Sequence, residues 1–348
     1  LTALVALCVL PACAPTLRQT PLNSGDIERE AEKQKDAAFA TWTKRQERLD
    51  GIAVRLSEAS ADLCPSKRPA IGLALHNVST YKGEYKASAA RYFNLGDAMT
   101  VRSVQPNFPA ARAGVVAGDA LLGINGKSVD GMTVQQALDI LKDAAAGKDS
   151  VRLSMHRDGR TRDIALLPTV ICAYPATVTQ DDIVNAYADG RQVYIASGMM
   201  RFAETDDELA LVVAHEMAHN ALGHVNKTRG NAFLGALIDV AIAAGTGVNT
   251  QGVFSNAAAH VFSQEFESEA DYEGLYMAAR AGFNISNAPE FWRRMAAEHP
   301  GSIKKNFAAS HPSTPQRFLA LENAVKEIEV KRQRGDLLLP EGSKGTGK

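Results

Sequence analysis

The sequence has no surplus of either charge: 38 Lys and Arg stand against 39 Asp and Glu, for a net charge of −1. A nucleic-acid binder carries a basic excess, so nucleic acid is not an expected partner. Cysteine is scarce, with four residues at positions 8, 13, 64 and 172 and no Cys-x-x-Cys pair. Cysteine-built zinc sites and dithiol redox sites therefore have little support. Long apolar runs are missing as well: beyond the short stretch at the N-terminus nothing approaches the roughly 20 residues that cross a bilayer, which disfavours an intramembrane enzyme. What is present is an ordinary folded composition, 45% hydrophobic and 22% charged over 348 residues. That length is expected to hold two domains with additional helices.

Residues 1–13 (LTALVALCVLPAC) are apolar and too short to span a membrane, but they fit the core of a signal peptide. Leu10-Pro11-Ala12-Cys13 resembles a bacterial lipobox, which implies lipidation of Cys13 and a lipid anchor in a membrane; Pro11 departs from the usual small or hydroxylated residue. Residues 14–25 are polar and contain proline, as expected of a linker. Over residues 26–63, apolar side chains at Ile27, Ala31, Ala38, Phe39, Trp42, Leu49, Ile52 and Leu56 recur near helical spacing, so one long amphipathic helix is expected to pack on the body.

The character changes over residues 67–170, where β-rich runs (IGLALHN, MTVRSV, ALLGIN, VRLSMHR) alternate with Gly, Asn and Asp turns and one helical stretch, Thr133 to Ala145. The order of strands, Pro109-Ala-Ala-Arg-Ala-Gly114, Gly118-Asp119, the Asn125-Gly126 hairpin signal and the helix resembles a PDZ domain. The resemblance implies binding of an extended peptide or C-terminal carboxylate beside an edge strand, with Ile71, Gly72 and Leu73 as the peptide-binding residues. Cys64 and Cys172 bracket this module. In an exported chain they are expected to form a disulfide closing a loop of about 108 residues, worth on the order of 4 to 5 kcal/mol in the chain-entropy description.

From Glu208 the chain reads ELALVVAHEMAHNALGHV, a helical run containing His215-Glu216-Met217-Ala218-His219. Histidines four apart lie on one helical face and can converge on one metal ion, while Glu216 stands beside them as an acceptor for a proton from water. His224 falls five after His219, which on a continuous helix is a different face, so it reads as a surface or packing residue. A catalytic zinc site needs a third ligand. Candidates lie in FSQEFESEAD, residues 262–271, in a second helical run from near Asn256 to Gly282. Glu267 and Asp271 share one face and Glu265 and Glu269 another, so helix geometry does not choose between them.

HEMAH followed by FSQEFESEAD resembles the zinc metallopeptidase family that includes the CAAX prenyl endopeptidase, the heat-shock protease HtpX and periplasmic β-barrel-assembly-enhancing proteases, whose pattern is HExxH followed by ExxAD. Further similarity runs through Asn185-Ala-Tyr-Ala188, Val193-Tyr-Ile-Ala-Ser-Gly198 and His311-Pro-Ser-Thr-Pro315, about 179–324 in all. Gln264 replaces the family's usual Arg. The resemblance implies one Zn²⁺ per chain held by His215, His219 and Glu267, Glu216 as general base, and Asp271 behind a ligand histidine. It also implies a substrate backbone paired with the strand Val193, Tyr194, Ile195. His311 stays open between stabilising an oxyanion, acting as an inhibitory fourth ligand, and capping the Pro315 helix as a loop histidine.

The expected fold is α+β: a mainly helical gluzincin-type metallopeptidase domain over 173–334 with a small β-strand edge, an inserted PDZ-like domain, and a disordered tail over 335–348. Ala232 to Gly245 is apolar, but its length of about 14 residues and Asp239 disfavour a membrane-spanning segment, so a buried helix is expected, with a membrane-proximal lid as the second reading. The expected function is exported endopeptidase action on unfolded or misassembled cell-envelope proteins, in the periplasm of a Gram-negative bacterium and at its outer membrane. The alternative is a non-proteolytic assembly factor or chaperone that keeps the metallopeptidase fold as scaffold.

Overall fold

The computed structural model describes residues 20–147, 149–228, 263–298 and 314–342. The signal-like segment, Cys13, the Ala232 to Gly245 stretch and His311 lie outside the described residues. The architecture is α+β. Helix α1 (Ser24–Ala59) begins two residues before the expected boundary, because the Asn23 side chain caps it by accepting from the Gly25 N–H. Strand β1 (Lys67–Ala70) follows, then β2 (Leu73–His76), α2 (Lys86–Phe93), β3 (Thr100–Val104), the single turn α3 (Pro109–Arg112), β4 (Ala120–Ile124), β5 (Lys127–Ser128), α4 (Val134–Ala146), β6 (Val151–Arg157), β7 (Arg160–Leu166) and β8 (Thr169–Cys172).

β1 and β8 pair antiparallel, with Lys67 opposite Cys172 and Ala70 opposite Thr169, and the whole segment between them forms a separate sheet in the order β2-β3-β4-β6-β7, with β5 on β4. That sheet and α4 enclose their own core, including Val101, Leu121, Ile124, Leu153, Met155 and Leu141. α4 is started by a capping box, Thr133 accepting from the Gln136 N–H while the Gln136 side chain accepts from the Thr133 N–H. β1 and β8 thus make a neck, and a disulfide joins Cys64 to Cys172 beside it, with Cα atoms 5.6 Å apart. Two further ties run to α1: Arg102 to Asp50 at 3.0 Å, and Phe39 among Tyr81, Tyr85, Tyr92 and Phe93.

Beyond the neck come β9 (Ala176–Thr179), β10 (Ala186–Ala188), β11 (Val193–Ala196), α5 (Ser197–Phe202), α6 (Asp206–Ala221), α7 (Ser263–Arg280), α8 (Ala288–Glu298) and α9 (Pro315–Arg334). Leu49, Ile52, Ala53 and Leu56 of α1 share one core with α6 and α7, so α1 packs on the helical body beyond the neck as its apolar spacing requires. Ser197 and Gly198 open α5, where a Cβ on Gly198 would lie 2.3 Å from the Ile183 carbonyl oxygen. One expectation fails here. Residues 335–342 are not a disordered tail: Arg280 Nη1 donates to the Leu338 carbonyl, Lys331 Nζ to that of Leu339, and Pro340 is buried. Cationic side chains of α7 and α9 satisfy those carbonyls, a source of order that composition does not register.

Candidate metal centre

α6 carries the central motif. Its N-terminus is capped by the Thr205 hydroxyl, which accepts from the Glu208 N–H, and its first turn holds Asp206, Asp207 and Glu208 against the positive end of the helix dipole. Every residue from Glu208 to Asn220 is buried, which the small and aliphatic side chains of ELALVVA permit. α7 crosses it closely. Glu267, Asp271 and Gly274 lie at i, i+4 and i+7 on the facing side, and a Cβ on Gly274 would stand 3.0 Å from the His215 Cα and N. Gly274 therefore sets how near Glu267 comes to the histidines. Gly274→Ala is expected to cost about 1–3 kcal/mol through overpacking, read as a lower urea midpoint with an unchanged slope.

Three side chains converge: His215 Nε2 lies 3.1 Å from His219 Nε2 and 3.5 Å from Glu267 Oε2, and His219 Nε2 lies 3.3 Å from Glu267 Oε1. Ligand arms of about 2.0–2.1 Å in a tetrahedron give ligand separations of about 3.3 Å, so the triangle has the dimensions of three zinc ligands. Charge fits as well. Among the described residues, the buried carboxylates of Glu216, Glu267 and Asp271 meet one buried guanidinium, Arg317, at this point, leaving two negative charges for one dication to offset. Two imidazoles and a carboxylate are a donor set suited to zinc.

Behind the triangle, Asp271 Oδ1 stands 3.0 Å from His215 Nδ1 and is gripped by Arg317, whose Nε and Nη2 each donate to it at 2.8 Å. Arg317 Nη1 also reaches Glu267 Oε2 at 3.1 Å. Burial works against the charge on Asp271, but Arg317 and His215 outweigh it and hold its carboxyl below the usual range. For His215 burial again disfavours the charge, yet Asp271 and Glu267 hold a proton on the metal-free ring up to about 10. A metal ion held there would take the place of that proton. Glu216 is 3% exposed, adjacent to His215, and its charge adds to the field on Arg317.

Arg317 was not read from the sequence. The signal was available: it stands one turn into a helix that begins at Pro315 with Thr314 as cap, directly after the His311 to Pro315 motif. Of the two readings of His224, surface or packing, the structure shows packing, together with polar contacts that the helical spacing did not suggest: α6 stops at Ala221, Gly223 takes a φ of +70°, and His224, 2% exposed, lies with Nδ1 3.0 Å from His219 Nδ1 and Nε2 2.9 Å from Glu269 Oε2. Burial holds His224 down to about 4. Glu265 is exposed and Glu269 belongs to His224, so neither enters the triangle.

The strand assignment needs correction. β11, with Val193, Tyr194 and Ile195, is the middle strand of its sheet, antiparallel to β10 and parallel to β9, so its backbone has no edge left for a substrate. The β9 side is covered by α1: Gln46 Oε1 accepts from the Val178 N–H at 2.9 Å, and Gln46 Nε2 donates to the Ala176 carbonyl at 3.2 Å. The outer edge of the sheet is β10, which runs beside α6, with Asn220 of α6 bonded to the Gly190 N–H and the Gln192 carbonyl in the turn that follows.

In the inserted module, Ile71, Gly72 and Leu73 lead into β2, the edge strand of that sheet. Gly72 has φ +80°, and a Cβ there would lie 2.1 Å from Phe108 Cβ, so the turn admits only glycine. These residues line a groove of about 620 Å³ with Leu138 and Leu141 of α4, and Asp50 and Val54 of α1 form its third wall.

No described helix is long and apolar enough to cross a membrane. Residues 168–325 match the family model of Peptidase family M48, and residues 100–154 match that of the PDZ domain. Mitochondrial metalloendopeptidase OMA1 of Schizosaccharomyces pombe is 32% identical over 166 residues, 46% of this chain and 49% of that protein. The beta-barrel assembly-enhancing protease of Escherichia coli is 25% identical over 169 residues, 42% of this chain and 34% of that protein. The human metalloendopeptidase OMA1 is 26% identical over 167 residues, covering 43% and 32%. The match thus spans less than half the length of each of these relatives. The His215, His219 and Glu267 triangle lies inside the stretch that resembles Peptidase family M48, and the stretch that resembles a PDZ domain lies ahead of it.

Proposed function

We propose that this chain is a zinc-dependent endopeptidase that cleaves unfolded or misassembled proteins of a bacterial cell envelope, with its PDZ module selecting them. The observation that carries the reading is the buried triangle of His215, His219 and Glu267 with Glu216 next to it on α6. When bound there, a zinc ion supplies Lewis acidity toward water and toward a peptide carbonyl. Glu216 accepts the proton released from water and returns it to the departing amine. Asp271, clamped by Arg317, fixes the ring of His215 so that Nε2 faces the triangle. A substrate backbone pairs with the outer edge of β10, since β11 is enclosed and the β9 edge is covered by Gln46.

The envelope location and the lipid anchor at Cys13 rest on the N-terminal sequence and on the assembly-enhancing relative; the OMA1 relatives carry the word mitochondrial in their names. The groove at Ile71, Gly72 and Leu73 supports capture of a chain terminus or an extended segment.

The neck provides the test. Ala70 and Thr169 are paired neighbours, so residues 71–168 can be replaced by an Asn-Gly turn that leaves β1, β8 and the Cys64 to Cys172 bridge in place. The zinc-loaded full chain is expected to cleave both a short generic peptide and an unfolded protein. The shortened chain should keep the peptide kcat/KM within about tenfold, about 1.4 kcal/mol of activation, and lose about a hundredfold on protein substrates through lost effective concentration. No cleavage by the zinc-loaded full chain would sink the functional reading. An equal fall on both substrates, with zinc still bound, would make the module part of the active site.

A further inference from the structure

The two ligand histidines are held from behind in different ways. His215 Nδ1 faces a buried carboxylate, Asp271, at 3.0 Å. His219 Nδ1 faces another imidazole, His224, whose far nitrogen meets Glu269, a carboxylate with a side chain 52% exposed. The chain turn at Gly223 places His224 there, and Phe266 keeps its ring in plane by stacking at 4.5 Å and 15°.

We propose that His224 and Glu269 act in series as positioning residues for His219, fixing its tautomer and ring plane so that Nε2 is presented to the metal. This rests on the zinc reading of the triangle. The proton arrangement follows from the chain's ends. Nε2 of His219 offers its lone pair to the triangle, so Nδ1 carries the proton and donates to His224 Nδ1. His224 then carries its own proton on Nε2 and donates to Glu269. Only a carboxylate at the outer end fixes all three partners in that order.

The physical reason for an imidazole in the middle is the local charge. Glu216, Glu267 and Asp271 already crowd this interior against one Arg317, and a fourth buried carboxylate would add a large desolvation cost. A neutral ring carries the orienting hydrogen bond inward while the charge of Glu269 stays at the solvent edge, beside the cavity lined by Leu222, Tyr272 and Glu273.

The test is zinc affinity by chelator competition on the full chain, with the visible spectrum of the cobalt-substituted protein as a second readout. His224→Phe, which keeps the stack on Phe266 but not the hydrogen bonds, is expected to weaken zinc binding by about 10- to 100-fold. His224→Gln offers an amide oxygen to His219 and should recover part of that loss, which a purely structural role would not. Glu269→Ala, at a half-exposed position that leaves folding intact, should retain one zinc through purification yet weaken affinity severalfold and alter the cobalt bands. If His224→Phe does not fold, Glu269→Ala carries the decision. Affinity and cobalt spectrum equal to wild type in the folded variants would overturn the proposal. If instead Glu267→Ala binds zinc as tightly as wild type, the triangle is not the metal site and the functional reading itself fails.

Discussion

Replacing Glu216 by Gln is expected to lower kcat for unfolded casein by at least about 10² to 10⁴, the range associated with loss of a general base, while zinc content and melting temperature stay close to wild type. The substitution conserves size at a site only 3% exposed, so it opens no cavity. It removes one negative charge from around Arg317, but that guanidinium keeps its two hydrogen bonds to Asp271 and its contact with Glu267, so the framework behind the ligands persists. What disappears for the chemistry is the carboxylate's capacity to take up a proton, which the amide lacks. Metal analysis, thermal melting and single-turnover cleavage on the same preparation make the comparison. Cleavage near the wild-type rate would assign proton transfer to another group or expose a contaminating protease. Loss of zinc in parallel would make Glu216 a ligand.

Much of this arrangement is legible because it is local. HEMAH lies within one continuous helix, and a spacing of four fixes the relation of His215 to His219 without reference to the rest of the chain. The bracketing cysteines and the Gly-Asp and Asn-Gly turn signals mark an inserted β-rich module for the same reason: each reports on its own few residues. Choosing Glu267 over Glu269 is different. The periodicity of α7 allows both faces, and only the crossing of α7 over α6, set by Gly274 against His215, brings Glu267 and Asp271 inward. His224 shows where periodic reasoning stops, since a helical wheel extended through Gly223 does not suggest the contact with His219 that follows a turn of positive φ. Pairing of substrate with β11 fails because a strand preceding the HEMAH helix has no sequence mark of its position in the sheet. Its enclosure depends on β9, from the far side of a turn, and on β10, and the protection of β9 depends on Gln46, more than a hundred residues earlier.

The ligand choice itself has a decisive measurement. Glu267→Ala is expected to reduce zinc affinity by at least about a thousandfold, roughly 4 kcal/mol, and to remove cleavage with it, because two imidazoles alone leave the metal short of the three protein ligands a catalytic site uses. The loss should not be a loss of fold. Glu267 is 3% exposed, but its main anchor, Arg317, stays bidentate on Asp271 after the side chain is cut back, and removing a carboxylate relieves rather than worsens the crowding of negative charge. Metal-free melting of Glu267→Ala should therefore fall no more than that of the metal-free parent by a few degrees. The control is Glu265→Ala: its side chain is exposed on the other face of α7, and zinc content, affinity and cleavage should all match the parent. Glu269→Ala should purify with about one zinc, since Glu269 reaches the site only through His224. Zinc lost equally from the Glu267 and Glu269 variants, or lost only from the latter, would move the third ligand to the other face of α7 and with it the whole geometry assigned to this centre.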